Sequence, residues 1–367
     1  MRYLEANYQG NEILTARKGA LGLIALNRPR VLNSLSHDMV IDFGKALDAF
    51  ESDPQVVAVL VTGEGDRGLC AGGDIRMFHD SGKAGDGKAS DFLKAEYRLN
   101  ARIASFPKPY IVVMDGITMG GGVGVSSHGS HRIVTGSTRL AMPETGIGFF
   151  PDIGASWLLS RAPGELGTWM GLTGEAINGA DAITAGLADW FVSQDRVAEL
   201  LETIAALPAP TLGQTISSTI RDYTVDGPVG LFCEGRNLID RCFAFDTVEE
   251  IVAALEKDTS DLVAKTLVAQ TLPAQTLAAM HAKSPTSLKV TLRMLREARR
   301  SKDLQTCLER EFAGTLHVVK VPDFYEGIRA AIIDKDRNPK WYPATLADVA
   351  PESVEAFFAA GDARLFG

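Results

Sequence analysis

Residues 110–152 read YIVVMDGITMGGGVGVSSHGSHRIVTGSTRLAMPETGIGFFPD. The stretch opens on Tyr110 to Met114, an apolar run of the kind that forms a strand buried on both faces. It feeds into three glycines, Gly120, Gly121 and Gly122, with a fourth at Gly124. Glycine lets a backbone approach a neighbour or a ligand closely, because no Cβ stands between them. The stretch closes on two carboxylates, Glu144 and Asp152, each directly behind a proline that fixes the backbone. Between them Thr145 to Phe150 is glycine-rich and apolar. A carboxyl against an apolar wall keeps its proton to higher pH, which suits a base near neutrality. The plainer reading of Asp152 is an N-cap for a helix over 152–160.

A second strand-to-glycine passage lies upstream. Val56 to Val61 (VVAVLV) predicts another buried strand, and the loop after it, residues 62–75, carries Cys70-Ala71-Gly72-Gly73-Asp74. Two glycine clusters behind two buried strands can each aim a backbone N–H at one oxygen, the arrangement an acyl-transfer site needs. On composition alone, two tight turns with close strand packing is the simpler explanation.

Outward from these passages, strands and helices alternate, which predicts an α/β fold. Residues 11–16 and 21–26 read as a hairpin, and Ser36 as the N-cap of a helix to Phe50. Residues 80–90 (DSGKAGDGKAS) read as a surface loop ahead of a helix over 91–105, where Glu96 falls one position off the apolar stripe and reads by default as a boundary or exposed residue. Short strands are expected at 131–134, 139–142 and 188–192, and helices at 164–172 and 195–207. Residues 207–215 (LPAPTLGQT) read as a linker or subdomain boundary, dividing a core over 1–207 from a mostly helical region over 208–367. The helices expected there cover 248–257, 261–270, 274–282, 286–299 and 303–317. Residues 323–343 read as an amphipathic helix with a charged turn, and 344–367 as a short terminal helix.

Composition narrows the function. With 46% apolar and 23% charged residues the chain is ordinary globular protein, and a net charge of −9 gives no support to nucleic-acid binding. The four cysteines are scattered without C-x-x-C spacing, which fits reduced thiols. The first residues, MRYLEANYQGNEIL, do not read as a leader, so a cytoplasmic location is expected. No apolar run approaches the length of a membrane span.

Several tempting motifs fail. Gly82 to Lys88 (GKAGDGK) resembles a phosphate loop, but Ala89 stands where Ser or Thr belongs. The GGGVG run lacks the last glycine of a dinucleotide fingerprint, since position 127 is Ser127. Gly124 to His128 is not a nucleophile elbow, because its fifth residue is histidine. His128 and His131 have no evident third ligand, so no metal site is expected.

Four segments together resemble the crotonase (enoyl-CoA hydratase/isomerase) superfamily. They are NRPRVLNSLS (27–36), VVAVLVTGEGDRGLCAGGDIR (56–76), KPYIVVMDGITMGGGVGVS (108–126) and DFYEGIRAAIIDKDRNPKW (323–341). The resemblance implies a spiral of strand-strand-helix turns with a helical C-terminal region. It implies an acyl-CoA substrate, with coenzyme A as part of that substrate and no separate cofactor. It assigns the oxyanion hole to the amides of Gly73 and Gly121. Homo-oligomers are common in the superfamily, while the helical tail could equally fold back on its own core.

Within the superfamily the pattern is similar to the hydrolase branch, which the resemblance places in valine degradation, acting on 3-hydroxyisobutyryl-CoA. Gly73 precedes Asp74 where hydratases commonly carry Ala. Gly124 stands where hydratases commonly carry their first catalytic Glu. Glu144 is kept and Asp152 is added; Glu96 takes the place of a further substrate-contacting acid, and SPTSLKVTLRML (284–295) is similar to the same branch. The resemblance therefore implies Glu144 and Asp152 as catalytic, with Glu96, Gly121, Glu144 and Asp152 on the substrate. Two other readings stay open: an enoyl-CoA hydratase or isomerase pairing Glu144 with another acid, and a non-catalytic acyl-CoA-binding protein.

Overall fold

The computed structural model describes residues 3–260, 267–359 and 364–366. Contacts divide the chain into two compact units. The first takes the chain up to Gly73, then Arg98–Leu140 and Ile177–Val229; the second takes Asp74–Tyr97, Ala141–Ala176 and the chain from Gly230 onward.

The first unit holds both sheets. Their strands are β1 (Gln9–Gly10), β2 (Ile13–Lys18), β3 (Leu21–Leu26), β4 (Ala58–Gly63), β5 (Gly68–Cys70), β6 (Tyr110–Met114), β7 (Ile117–Met119), β8 (His131–Val134), β9 (Arg139–Ala141) and β10 (Trp190–Phe191). The larger sheet runs β1-β2-β3-β4-β6-β8-β10 and the smaller β5-β7-β9. β2 and β3 pair antiparallel as the expected hairpin, and from β3 onward every neighbour is parallel. β4 and β6 are buried at every residue, as central parallel strands covered on both faces must be.

One side of the large sheet is covered by the helices Val197–Ala206 and Ala209–Asp222. Leu200, Leu201, Ile204, Ile216 and Ile220 pack there with Leu21, Leu23, Leu60, Ile111, Val113 and Ile133. The helix His37–Ser52 starts as expected, with Ser36 Oγ accepting the Met39 N–H at 3.2 Å. Its C-terminal end is held by Lys108, whose Nζ donates to the carbonyls of Phe50 and Asp53.

Three expectations are corrected. Residues 80–90 are not a loop: helices Ile75–Ala84 and Lys88–Ala104 leave only 85–87 between them. Gly85 ends the first in the left-handed region, and Asp86 accepts the Lys88 N–H at 3.1 Å. The glycines and small polar residues of DSGKAGDGKAS thus serve one tight helix–helix break. Residues 207–215 are not a linker, because Ala209 opens a helix with proline in its first turn, where a missing N–H costs nothing. The helix expected from 152 begins at Ala155.

The second unit is mainly helical. Its helices include Leu166–Thr173, Leu231–Cys242, Val248–Ser260, Leu267–His281, Pro285–Ala298 and Leu304–Val318. Part of the helix expected over 261–270 lies outside the described residues, as does part of the one expected over 344–367. The amphipathic segment at 323 is an α-helix over Pro322–Ile328 continued by a π-turn over Arg329–Ile333. Among the described residues no helix is long and apolar enough to cross a membrane.

Candidate active site

In the first unit the two glycine loops lie against each other. Gly72 takes φ +108°, and a Cβ built on it would lie 3.3 Å from Met119 O and 3.6 Å from Gly121 N. A Cβ on Gly122 would lie 2.3 Å from Cys70 O, closer than any real side chain tolerates. The loop before Gly73 is tied to residues 32–35, with Ala71 N–H donating to Leu32 O and Leu35 N–H to Gly72 O. Gly120 (φ +50°) precedes the helix Gly121–Ser127, so the Gly121 amide opens a helix whose first N–H groups have no partner within it. Gly124 is buried in that helix.

The acids of the second unit form one buried cluster. Glu144 begins a 3-10 turn over Glu144–Ile147, closed by Gly148 in the left-handed conformation. A Cβ on Gly148 would strike the Asp323 carbonyl at 2.2 Å, and one on Gly327 would lie 2.3 Å from the Ile147 carbonyl carbon. The Ser284 N–H donates to Thr145 O at 3.2 Å. The turn is therefore clamped by backbone on three sides. Glu144 is 7% exposed and its Oε2 has no hydrogen-bond partner.

Asp152 does not cap a helix with its side chain. Its Oδ2 accepts the Tyr97 hydroxyl at 2.7 Å, and it too is only 7% exposed. The turn that carries it is unusual: Ile153 has φ +57° and Gly154 φ +81°. A β-branched residue at positive φ is strained. Glu96, expected at a boundary, is buried, and its Oε1 lacks a partner.

Crowding sets the proton affinities. Burial raises Asp152 to about 7, against the lowering effect of the Tyr97 hydroxyl and a backbone hydrogen bond. Burial raises Glu144 well above the usual carboxylate range, and the Asp152 charge adds to it. Glu96 is raised by burial and then by Asp152. A charge on Asp152 therefore helps keep the other two protonated. Phe149 and Phe150, which lie between Glu144 and Asp152 in sequence, are buried and stack at 4.9 Å.

The structure places Glu96, Glu144 and Asp152 in one buried cluster, with two further members that the sequence reading does not name. Tyr97 is one. Glu311 is the other, wholly buried on the helix Leu304–Val318. The signal for Glu311 was present, since it falls in register with Leu308, Phe312 and Thr315 on the buried face of that helix. Two basic residues of the first unit are engaged within it: Arg28 pairs with Glu12 at 3.1 Å, and Lys108 holds a helix end.

Comparison with known proteins covers nearly the whole chain. Residues 21–358 match the family model described as enoyl-CoA hydratase/isomerase. The mitochondrial 3-hydroxyisobutyryl-CoA hydrolase of Rattus norvegicus is 40% identical over 95% of this chain and 88% of its own length. That of Homo sapiens is 39% identical over the same shares. Among solved structures, a carnitinyl-CoA dehydratase from Mycobacterium thermoresistibile superposes with TM-score 0.88 at 41% identity, covering 97% of this chain and 99% of that one. An enoyl-CoA hydratase from Rhodobacter sphaeroides 2.4.1 superposes with TM-score 0.83 at 40% identity, covering 95% and 97%. The expected cytoplasmic location is corrected by these names: the hydrolase relatives are mitochondrial, and the first residues of this chain are no guide to location.

Proposed function

The chain belongs to the enoyl-CoA hydratase/isomerase family, and within it we propose that it hydrolyses the thioester of a short-chain 3-hydroxyacyl-CoA, 3-hydroxyisobutyryl-CoA first. The observation that carries this reading is Glu144, a buried carboxyl with one oxygen unpartnered and a raised proton affinity, without a second carboxylate at position 124. Adding water across a double bond in this family uses two carboxylates on one water. Gly124 removes one of them. Hydrolysis asks for one carboxylate at the carbonyl and donors for the oxyanion.

In this mechanism the amides of Gly73 and Gly121 hold the thioester oxygen. Glu144 either attacks the carbonyl carbon, giving a mixed anhydride, or takes a proton from a water that attacks it. In both routes the oxyanion collapses, the C–S bond breaks and the thiolate leaves; in the anhydride route water then cleaves the anhydride, releasing the acid and restoring Glu144. A thiol of pKa about 8.5 departs with little acid assistance. Asp152 takes the substrate 3-hydroxyl, and Glu96 supports the same end of the substrate. The hydrolase names of the curated relatives favour this chemistry over the lyase chemistry in the titles of the solved structures.

The deciding experiment is a free-thiol assay over a panel of acyl-CoAs with and without a 3-hydroxyl, run beside an enoyl absorbance assay. Thiol release that prefers the hydroxylated substrates is expected. Enoyl turnover without thiol release would sink the reading.

A further inference from the structure

Glu311 is wholly buried and makes two hydrogen bonds to backbone far away in sequence. Its Oε2 accepts the Gly154 N–H at 2.6 Å and its Oε1 accepts the Ser156 N–H at 2.9 Å. Gly154 is the N-cap of the helix Ala155–Ser160 and has no side chain to cap it. The orphan amides of that first turn are satisfied by a carboxylate from another helix. The residue just before Gly154 is Ile153, at φ +57°, and the one before that is Asp152.

We propose that Glu311 is a positioning residue for Asp152. The strained turn Asp152-Ile153-Gly154 holds its shape because its own Gly154 amide and the Ser156 amide two residues on are anchored on one acceptor pair. Left-handed backbone at isoleucine is strained and persists only where surroundings over-determine it. Two hydrogen bonds to one buried carboxyl, short at 2.6 and 2.9 Å, supply that constraint. Tyr97 completes the hold from the other side, fixing the carboxyl of Asp152 while Glu311 fixes its backbone. Tyr97 itself stands edge-on to Phe312, the next residue after Glu311, at 6.0 Å. One short segment of the helix Leu304–Val318 therefore reaches both the backbone turn and the tyrosine. A glutamate is required because both of its oxygens accept. Glutamine offers one acceptor and turns an N–H₂ group toward the second amide.

The part of this that concerns substrate rests on the hydrolase reading above, so the test has one arm that needs no substrate. In Glu311→Gln, amide hydrogen exchange at Gly154 and Ser156 is expected to speed up by at least about tenfold, with the rest of the helices still protected. The second arm compares thiol release from 3-hydroxyisobutyryl-CoA and isobutyryl-CoA. The variant is expected to lose up to about a hundredfold on the hydroxylated substrate, as a displaced group does, and much less on the plain one. Glu311→Asp, which keeps both acceptors on a shorter stem, should recover part of the preference. Unchanged exchange at both amides, or equal loss on both substrates, would overturn the proposal. Wild-type protein that releases no thiol from either substrate would instead overturn the hydrolase reading, and the exchange arm would still decide the role of Glu311.

Discussion

Tyr97 donates its hydroxyl to Asp152 Oδ2 at 2.7 Å across 55 residues of sequence, with both groups out of water. The bond favours the ionised form of Asp152 and works against the burial that raises it. Tyr97→Phe should therefore push the Asp152 carboxyl above about 7. A hydrogen bond to a charged group is worth about 1.5–3 kcal/mol, or roughly one to two pH units. The ring keeps its packing against Phe312, so the fold should hold. Carbon-13 titration of labelled aspartate reads the shift directly. A midpoint that stays in place would show that the tyrosine does not govern this acid.

Glu144→Gln keeps the shape of the clamped turn and removes the group assigned to the carbonyl. Turnover should fall by about 100- to 10,000-fold, the span of a lost general base. Acyl-CoA binding, measured by calorimetry, should change little, because the lost interaction is made mainly in the transition state. Near wild-type turnover would remove Glu144 from the mechanism.

The parallel strands were legible because burial on both faces leaves unbroken apolar runs such as Val56 to Val61. Glu144 and Asp152 were legible because each stands behind a proline beside apolar sequence. Glu96 was legible only through the family resemblance; its place one step off a helical stripe looked like a boundary, and the structure buries it. Residues 80–90 and 207–215 misled because glycine and proline mark helix ends as well as loops, and composition does not tell a cap from a linker. The burial of Glu311 was legible from its helical register, but its role was not. Its partners are backbone amides of Gly154 and Ser156, and an amide leaves no mark in the sequence.

The close approach of the two glycine loops gives a steric prediction. A Cβ at position 122 would sit 2.3 Å from Cys70 O and 3.0 Å from Cys70 C, and backbone cannot swing aside as a flexible side chain does. Gly122→Ala should cost about 1–3 kcal/mol of stability as an overpacked site, seen as a drop in Tm. It should also lower kcat, since Gly121 is its neighbour. Gly136→Ala is the control, because a Cβ there meets nothing within 4 Å. Equal behaviour of the two variants would show that the loops are not locked together.

The acids make the pH dependence of the reaction a test of their coupling. Glu144 must lose a proton before it can attack or act as a base. Burial opposes that loss first, and the charge on Asp152 opposes it next. The acid limb of kcat/KM, which reports the free enzyme, should therefore lie well above the usual carboxylate range. Asp152→Asn removes a negative neighbour and leaves the burial, so Glu144 should ionise at lower pH and the limb should move to the acid side. Isobutyryl-CoA is the substrate for this comparison, because without a 3-hydroxyl the binding role of Asp152 is silent and its charge alone is tested. The residual elevation that remains in the variant belongs to burial and to Glu96, the other acid raising Glu144. A limb that stays put would mean that the two carboxyls do not feel each other. A limb that moves to higher pH would mean that Asp152 stabilises the ionised Glu144, the reverse of the electrostatics described here.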